Sequence, residues 1–168
     1  MTTVTIDIRP AEMRDAAAIA AVHDDAWLAT YRGMIPQANL ERMIVRRGPN
    51  WWQRAIRRGV NILVLDFDEV IAGYVTIGRN RARTLPFDGE IFELYLAPEY
   101  QGVGLGTRLF LSARQELARM NMSSSVVWVL DDNQPAIRFY ENAGGRRISK
   151  ATESFGDVKL AKTAFAWD

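Results

Sequence analysis

Polar and apolar positions alternate at the start of the chain. Thr5, Asp7 and Arg9 interleave with Val4, Ile6 and Ile8 until Pro10, the pattern of a half-buried strand ended by proline. The period then lengthens. From Ala16 to Thr30, Ile19, Val22, Ala26 and Trp27 recur at helical spacing, which predicts an Ala-rich helix with Asp15 as its cap. A second helix is expected from Gln37 to Arg46. A third is expected to start at Asn50, where Gln53 three residues later completes a capping-box pattern and Gly59 marks the end. Trp51 and Trp52, adjacent in its first turn, point in different directions; one is expected in the core and the other is a candidate pocket wall.

Strand signals follow. Asn61 to Phe67 is aliphatic, Asp68-Glu69 reads as a turn, and Val70 to Ile77 as the hairpin partner. Gly73 inside that partner predicts a bulge or a close backbone approach. Arg79 to Asp88, with Pro86, reads as a loop, and Glu90 to Ala97 as the fourth strand. From Thr107 onward Leu109, Ala113, Leu117 and Met120 give a helix one buried face. Ser125 to Leu130 is an apolar run with the look of a strand covered on both sides. Asn133 and Pro135 announce a helix from Ala136 to Ala143, closed by Gly144. Two last strands, Arg146 to Ser154 and Val158 to Trp167, flank a turn at Gly156-Asp157.

This order predicts an α/β fold: a mixed sheet of about seven strands with helices on both faces, in a single domain over residues 1–168. Composition narrows the chemistry. A formal net charge of +1 gives no general attraction to nucleic acid, and the pairs Arg46-Arg47, Arg57-Arg58 and Arg146-Arg147 read as solvated element ends. The chain has no cysteine, which excludes disulfides and thiol catalysis, and its single histidine makes a metal site unexpected. Neither a signal-peptide core nor a membrane-length apolar run is present, so a cytoplasmic protein without a membrane partner is expected.

One stretch carries most of the chemistry. In Gln101-Gly102-Val103-Gly104-Leu105-Gly106, glycines let main-chain N–H groups converge just before a helix starts, a place suited to phosphate. No Lys-Ser or Lys-Thr follows the last glycine, so this is not a nucleotide-triphosphate loop; nor does the spacing fit G-x-G-x-x-G. Gln101, Gly104 and Gly106, after LYLAPEY at 94–100, resemble the Q/R-x-x-G-x-G/A signature of the GNAT superfamily of acetyl-CoA-dependent N-acetyltransferases. Two further strings are similar to that family: W-x-x-T-Y-x-G-x-I-P from Trp27 to Pro36, and N-x-x-A-x-x-x-Y-E-x-x-G from Asn133 to Gly144. One departure is Gly145, where the family usually has Phe, which leaves the packing of that corner open.

The resemblance implies a sheet whose fourth and fifth strands splay apart to admit the cofactor arm. It assigns Leu94, Tyr95 and Leu96 to that arm, Gln101 and the stretch Gly102, Val103, Gly104, Leu105, Gly106 and Thr107 to the pyrophosphate, and Asn133 to the cofactor as well, beside its capping role. It makes Tyr140 the donor to the departing sulfur and Glu90 the base. Strand alternation puts Glu90 on the side of Phe92, Leu94 and Leu96, with Glu93 the rival if a bulge changes the parity. Trp27 and Tyr31 are implied to border the acceptor cleft, against a plain packing role at i and i+4. The activity implied is acetyl transfer from acetyl-CoA to a primary amine, small-molecule or peptide, without a metal, by a monomer or homodimer. A non-catalytic acetyl-CoA sensor and a transferase of longer acyl chains are the alternatives.

Overall fold

Alternation along a single strand decides which helices the sheet gathers on each side. In β2 (Asn61–Phe67), Ile62 and Val64 face one way and Leu63 and Leu65 the other, and all four are buried. The computed structural model describes residues 3–168. Ile62 and Val64 pack with α1 (Ala16–Tyr31) and α3 (Pro49–Arg57), joined by Ile19, Trp52 and Tyr74. Leu63 and Leu65 pack with α4 (Leu105–Arg119) and α5 (Gln134–Asn142), through Leu109, Phe110, Leu117 and Ile137. Removing an aromatic ring as buried as Trp52 from such a core costs about 3–5 kcal/mol.

Seven strands form one sheet in the order β1-β2-β3-β4-β5-β7-β6. The remaining strands are β1 (Ile6–Pro10), β3 (Val70–Arg79), β4 (Gly89–Leu96), β5 (Ser125–Leu130), β6 (Arg146–Phe155) and β7 (Val158–Trp167). Every pairing is antiparallel except β4 with β5. That parallel pairing covers only Gly89 to Ile91 against Ser125 to Val127; beyond it the two strands part. The remaining helix, α2 (Gln37–Arg46), lies near α1 and the β6–β7 turn, with Leu40 fully buried.

Several sequence expectations take a different physical form. Asp15 ends a short 3-10 turn, and its side chain caps no α1 donor. Its carboxylate instead accepts from the Glu12 N–H and from the Arg9 guanidinium, and those donors overcome burial to hold its pKa below the ordinary aspartate value. Asn50 is the second residue of α3, not its cap; Gly48 occupies that position with Pro49 opening the helix, so no capping box forms. Gly73 satisfies both of its readings. The β2–β3 register shifts beside it, and a β-carbon there would lie 2.5 Å from Leu96 Cδ2 and 2.8 Å from the Tyr95 carbonyl.

The corner after Gly144 is filled from elsewhere in the chain. A β-carbon at Gly145 would sit 2.7 Å from the Trp167 ring, whose indole N–H donates to the Ala143 carbonyl at 3.0 Å. The ring that a Gly-Phe pair would supply comes from β7.

His23, the chain's only histidine, is fully buried on α1 between Trp27 and Trp52. Burial first, and the nearby Arg47 charge second, push its pKa down to about 3. The unfolded chain takes up a proton near pH 6.5 that the native state refuses, so stability is lost as pH falls from about 6.5 toward 3. His23→Phe is expected to flatten this slope by up to about 1.4 kcal/mol per pH unit. Urea unfolding of both proteins between pH 7 and 4 measures it; an imidazole NMR signal titrating near 6.5 in the native state would refute the reading.

Candidate active site

The site begins with an extra residue. In the β3–β4 ladder Ile77 faces Ile91 but Thr76 faces Glu93, so Phe92 is bulged out of register. Period two is therefore broken along β4. Ile91, Leu94 and Leu96 pack toward α4, whereas Glu90, Phe92, Glu93 and Tyr95 line a cavity on the opposite side. Leu94 and Leu96 thus do not share a side with Glu90, which corrects the alternation expected from sequence. The bulge that would have favoured Glu93 is present, and it admits Glu93 without excluding Glu90.

Two cavities meet at β4. The first, about 360 Å³, is lined by Leu94, Tyr95 and Leu96, by Gln101, Gly102, Gly104, Gly106 and Thr107, and by Asn133 and Tyr140 from the α5 side. No main-chain N–H from Gly102 to Thr107 donates to a protein acceptor among the described residues. Gly102 and Gly104 reach this arrangement with φ of 79° and 86°, which only glycine adopts cheaply. A row of unpaired N–H groups at the start of a 15-residue helix forms a cradle with the chemistry to accept a phosphate. Val103 and Leu105 belong to the cradle through their main chain alone: Val103 points into solvent and Leu105 into the core. Gln101 does not aim its amide at the cradle; it donates to the Leu96 carbonyl at 3.1 Å, pinning the loop to the end of β4. Asn133 caps α5 by accepting from the Ala136 N–H.

Tyr140 lies among Phe110, Phe139, Phe165 and Trp167, and its hydroxyl has no hydrogen-bond partner among the described residues. Burial raises its pKa well above the ordinary phenol value, so the O–H stays protonated across working pH. It is a donor facing the cavity.

The second cavity, about 530 Å³, is lined by Trp27, Tyr31, the four β4 residues, and parts of α2, β5 and the β6–β7 turn. Tyr95 lines both cavities. Its hydroxyl lies 2.5 Å from that of Tyr31, and burial raises both phenols, Tyr31 to about 12. Tyr31 thus has the partner its hydroxyl required, while Trp27 is both a cavity wall and core.

Sequence reasoning missed the partners of the two glutamates. Glu90 accepts from the Arg81 N–H at 3.0 Å and from its guanidinium at 2.9 Å. Glu93 pairs with Arg47 and accepts from the Tyr74 hydroxyl at 3.1 Å. Arg47 is not a solvated helix end. It is half-buried, and its guanidinium sits 4.4 Å over the Trp51 ring, so Trp51 supports Arg47 and is not itself a cavity wall. Nothing in the spacing of Arg47 and Glu93, 46 residues apart, could have signalled that pair. Among the described residues no group of three or more His, Asp or Glu side chains is arranged to hold a metal ion, and no helix is long and apolar enough to cross a membrane.

Known proteins are similar to this chain in architecture and in sequence. An uncharacterised N-acetyltransferase of Bacillus subtilis, YuaI, is 28% identical over 96% of this chain and 92% of its own length. A mycothiol acetyltransferase of Brachybacterium faecium is 30% identical over 84% of this chain, a match that spans only 42% of that longer protein. The crystal structure of the PaiA N-acetyltransferase of Thermoplasma acidophilum in complex with coenzyme A superposes with a TM-score of 0.76 at 20% identity, covering 95% of this chain and 98% of that one. The family model described as the acetyltransferase (GNAT) family matches residues 19–144, a span that holds the β4 bulge, the N–H cradle and Tyr140. The chain belongs to the GNAT acetyltransferase family.

Proposed function

We propose that the chain transfers an acetyl group from acetyl-CoA to a primary amine, by direct attack with both molecules bound. The observation that carries this reading is the meeting of two unlike cavities at Tyr95, one ending in a phosphate cradle and the other edged by carboxylates. Residues Gly102 to Thr107 would hold the pyrophosphate, and the β4 edge left by the short β4–β5 pairing would offer main-chain groups to an amide-bearing arm. Acetyl-CoA supplies a thioester carbonyl, at which the C–N bond forms as the C–S bond breaks.

The residues divide the remaining tasks. Glu93 lies just past the point where β5 leaves β4 and two residues before Tyr95, so it is placed to take the amine's proton, directly or through water. Glu90 sits where the strands still pair, back from the open part of the seam; its contacts with Arg81 fix that arginine at the cavity rim. Tyr140 donates its proton to the departing sulfur.

Thiol release with acetyl-CoA and an amine panel tests the reading. Glu93→Gln is expected to lower kcat/KM about a hundredfold, whereas Glu90→Gln, which leaves Glu93 in place, is expected to cost about tenfold or less. Release of no thiol with any amine, by a protein that still binds acetyl-CoA, would leave a sensor in place of an enzyme.

A further inference from the structure

The wall of the larger cavity is rich in charge, but nearly all of it is already matched. Its carboxylates are Glu90, Glu93 and Glu153; each has a cation within ion-pair distance, respectively Arg81, Arg47 and Lys162. One cation remains. Arg46, at the end of α2, lines the same cavity and has no ion-pair or hydrogen-bond partner among the described residues. With four cations against three carboxylates the cavity carries an excess of one positive charge. Between these charges the wall is apolar, through Trp27, Phe92, Trp128 and Phe155.

We infer that the acceptor is a small amine that also carries a carboxylate and an apolar body, an amino-acid-like molecule whose carboxylate is held by Arg46. The inference rests on the acetyl-transfer reading above. Glu93 serves the reacting amine of any acceptor, but every further positive charge meets only ion-paired carboxylates and the repulsion of Arg46, so polyamines and aminoglycosides are disfavoured. A molecule with one amine and one carboxylate offers each end a partner: the amine faces Glu93 on β4, and the carboxylate meets a guanidinium suited to bidentate pairing. A cavity of about 530 Å³ is in the range of small-molecule sites, which favours a free amino acid over a folded protein surface.

Acetylated products separate carboxylate recognition from amine basicity, because neither product bears an ionisable amine. With coenzyme A present, N-acetyl-L-phenylalanine and N-acetyl-L-phenylalaninamide are titrated while tryptophan fluorescence is followed, since Trp27 and Trp128 line the cavity. The carboxylate form is expected to bind about tenfold more tightly than the amide. In Arg46→Ala, an exposed position where the fold is not at risk, that ratio should fall below about threefold. Equal binding of acid and amide, a ratio unmoved by Arg46→Ala, or no binding of either would overturn the inference. Thiol release with L-phenylalanine, phenethylamine and spermidine then tells the two readings apart. Preference for spermidine refutes the acceptor class and leaves acetyl transfer standing; no release with any amine refutes both.

Discussion

Gly106→Val should reduce acetyl-CoA affinity by about a hundredfold or more while leaving the protein folded. Gly106 lies in the first turn of α4 at ordinary helical φ, so the backbone tolerates a side chain. What it does not tolerate is the place where that side chain goes. A β-carbon there would lie 3.3 Å from Phe139 and 3.7 Å from Leu96, two walls of the smaller cavity, and the added methyls of valine extend from that point. Gly104→Val reaches the same end by another route. Its β-carbon meets nothing within 4 Å, but a φ of 86° is strained for any branched residue, and relaxing it turns the N–H groups away from their common focus. Calorimetric titration with acetyl-CoA, beside a thermal melt, measures both effects. A folded Gly106→Val protein that binds with unchanged affinity would show the cradle to be only a tight turn.

Tyr140→Phe is expected to lower kcat by roughly tenfold to a thousandfold with little change in acetyl-CoA affinity or stability. The ring contacts with Phe110, Phe139, Phe165 and Trp167 survive the substitution, and no hydrogen bond within the protein is broken, since the hydroxyl makes none. Because burial keeps the phenol protonated well past neutral pH, the wild-type rate should show no alkaline fall from this group below about pH 10. Single-turnover rates with saturating amine test it. An unchanged rate would remove Tyr140 from the proton path and leave it as a packing residue.

Much of this site was legible in the chain because its parts are local. The bounds of β2, β5, β7 and α2 follow from periods and turn residues, and the turn that opens α4 from glycines within a few positions of one another. What escaped reading depends on groups far apart in sequence. Whether Phe92 bulges is decided by β3, so the side that Glu90 and Glu93 face could not be read from β4 alone. Arg47 looks like any basic helix end until Glu93 arrives beneath it, and His23 like a polar helix position until Trp52 closes over it. Asn50 failed for a nearer reason: Pro49 starts the helix one residue earlier and leaves the cap to Gly48.

The brief β4–β5 pairing has a mechanical consequence. Counted by strands there is one sheet; counted by rungs there are two leaves, β1 to β4 and β5 to β7, sewn together along three residues of each strand at one end. A guest lying in the open part of that seam does more than occupy a slot. By offering amides to β4 it would add stitches where the protein has none, so its arrival would stiffen the junction between the two leaves. Holding the guest and holding the leaves together would then be coupled, and slowed amide exchange on β4, well away from the glycine turn, is where the coupling would be read.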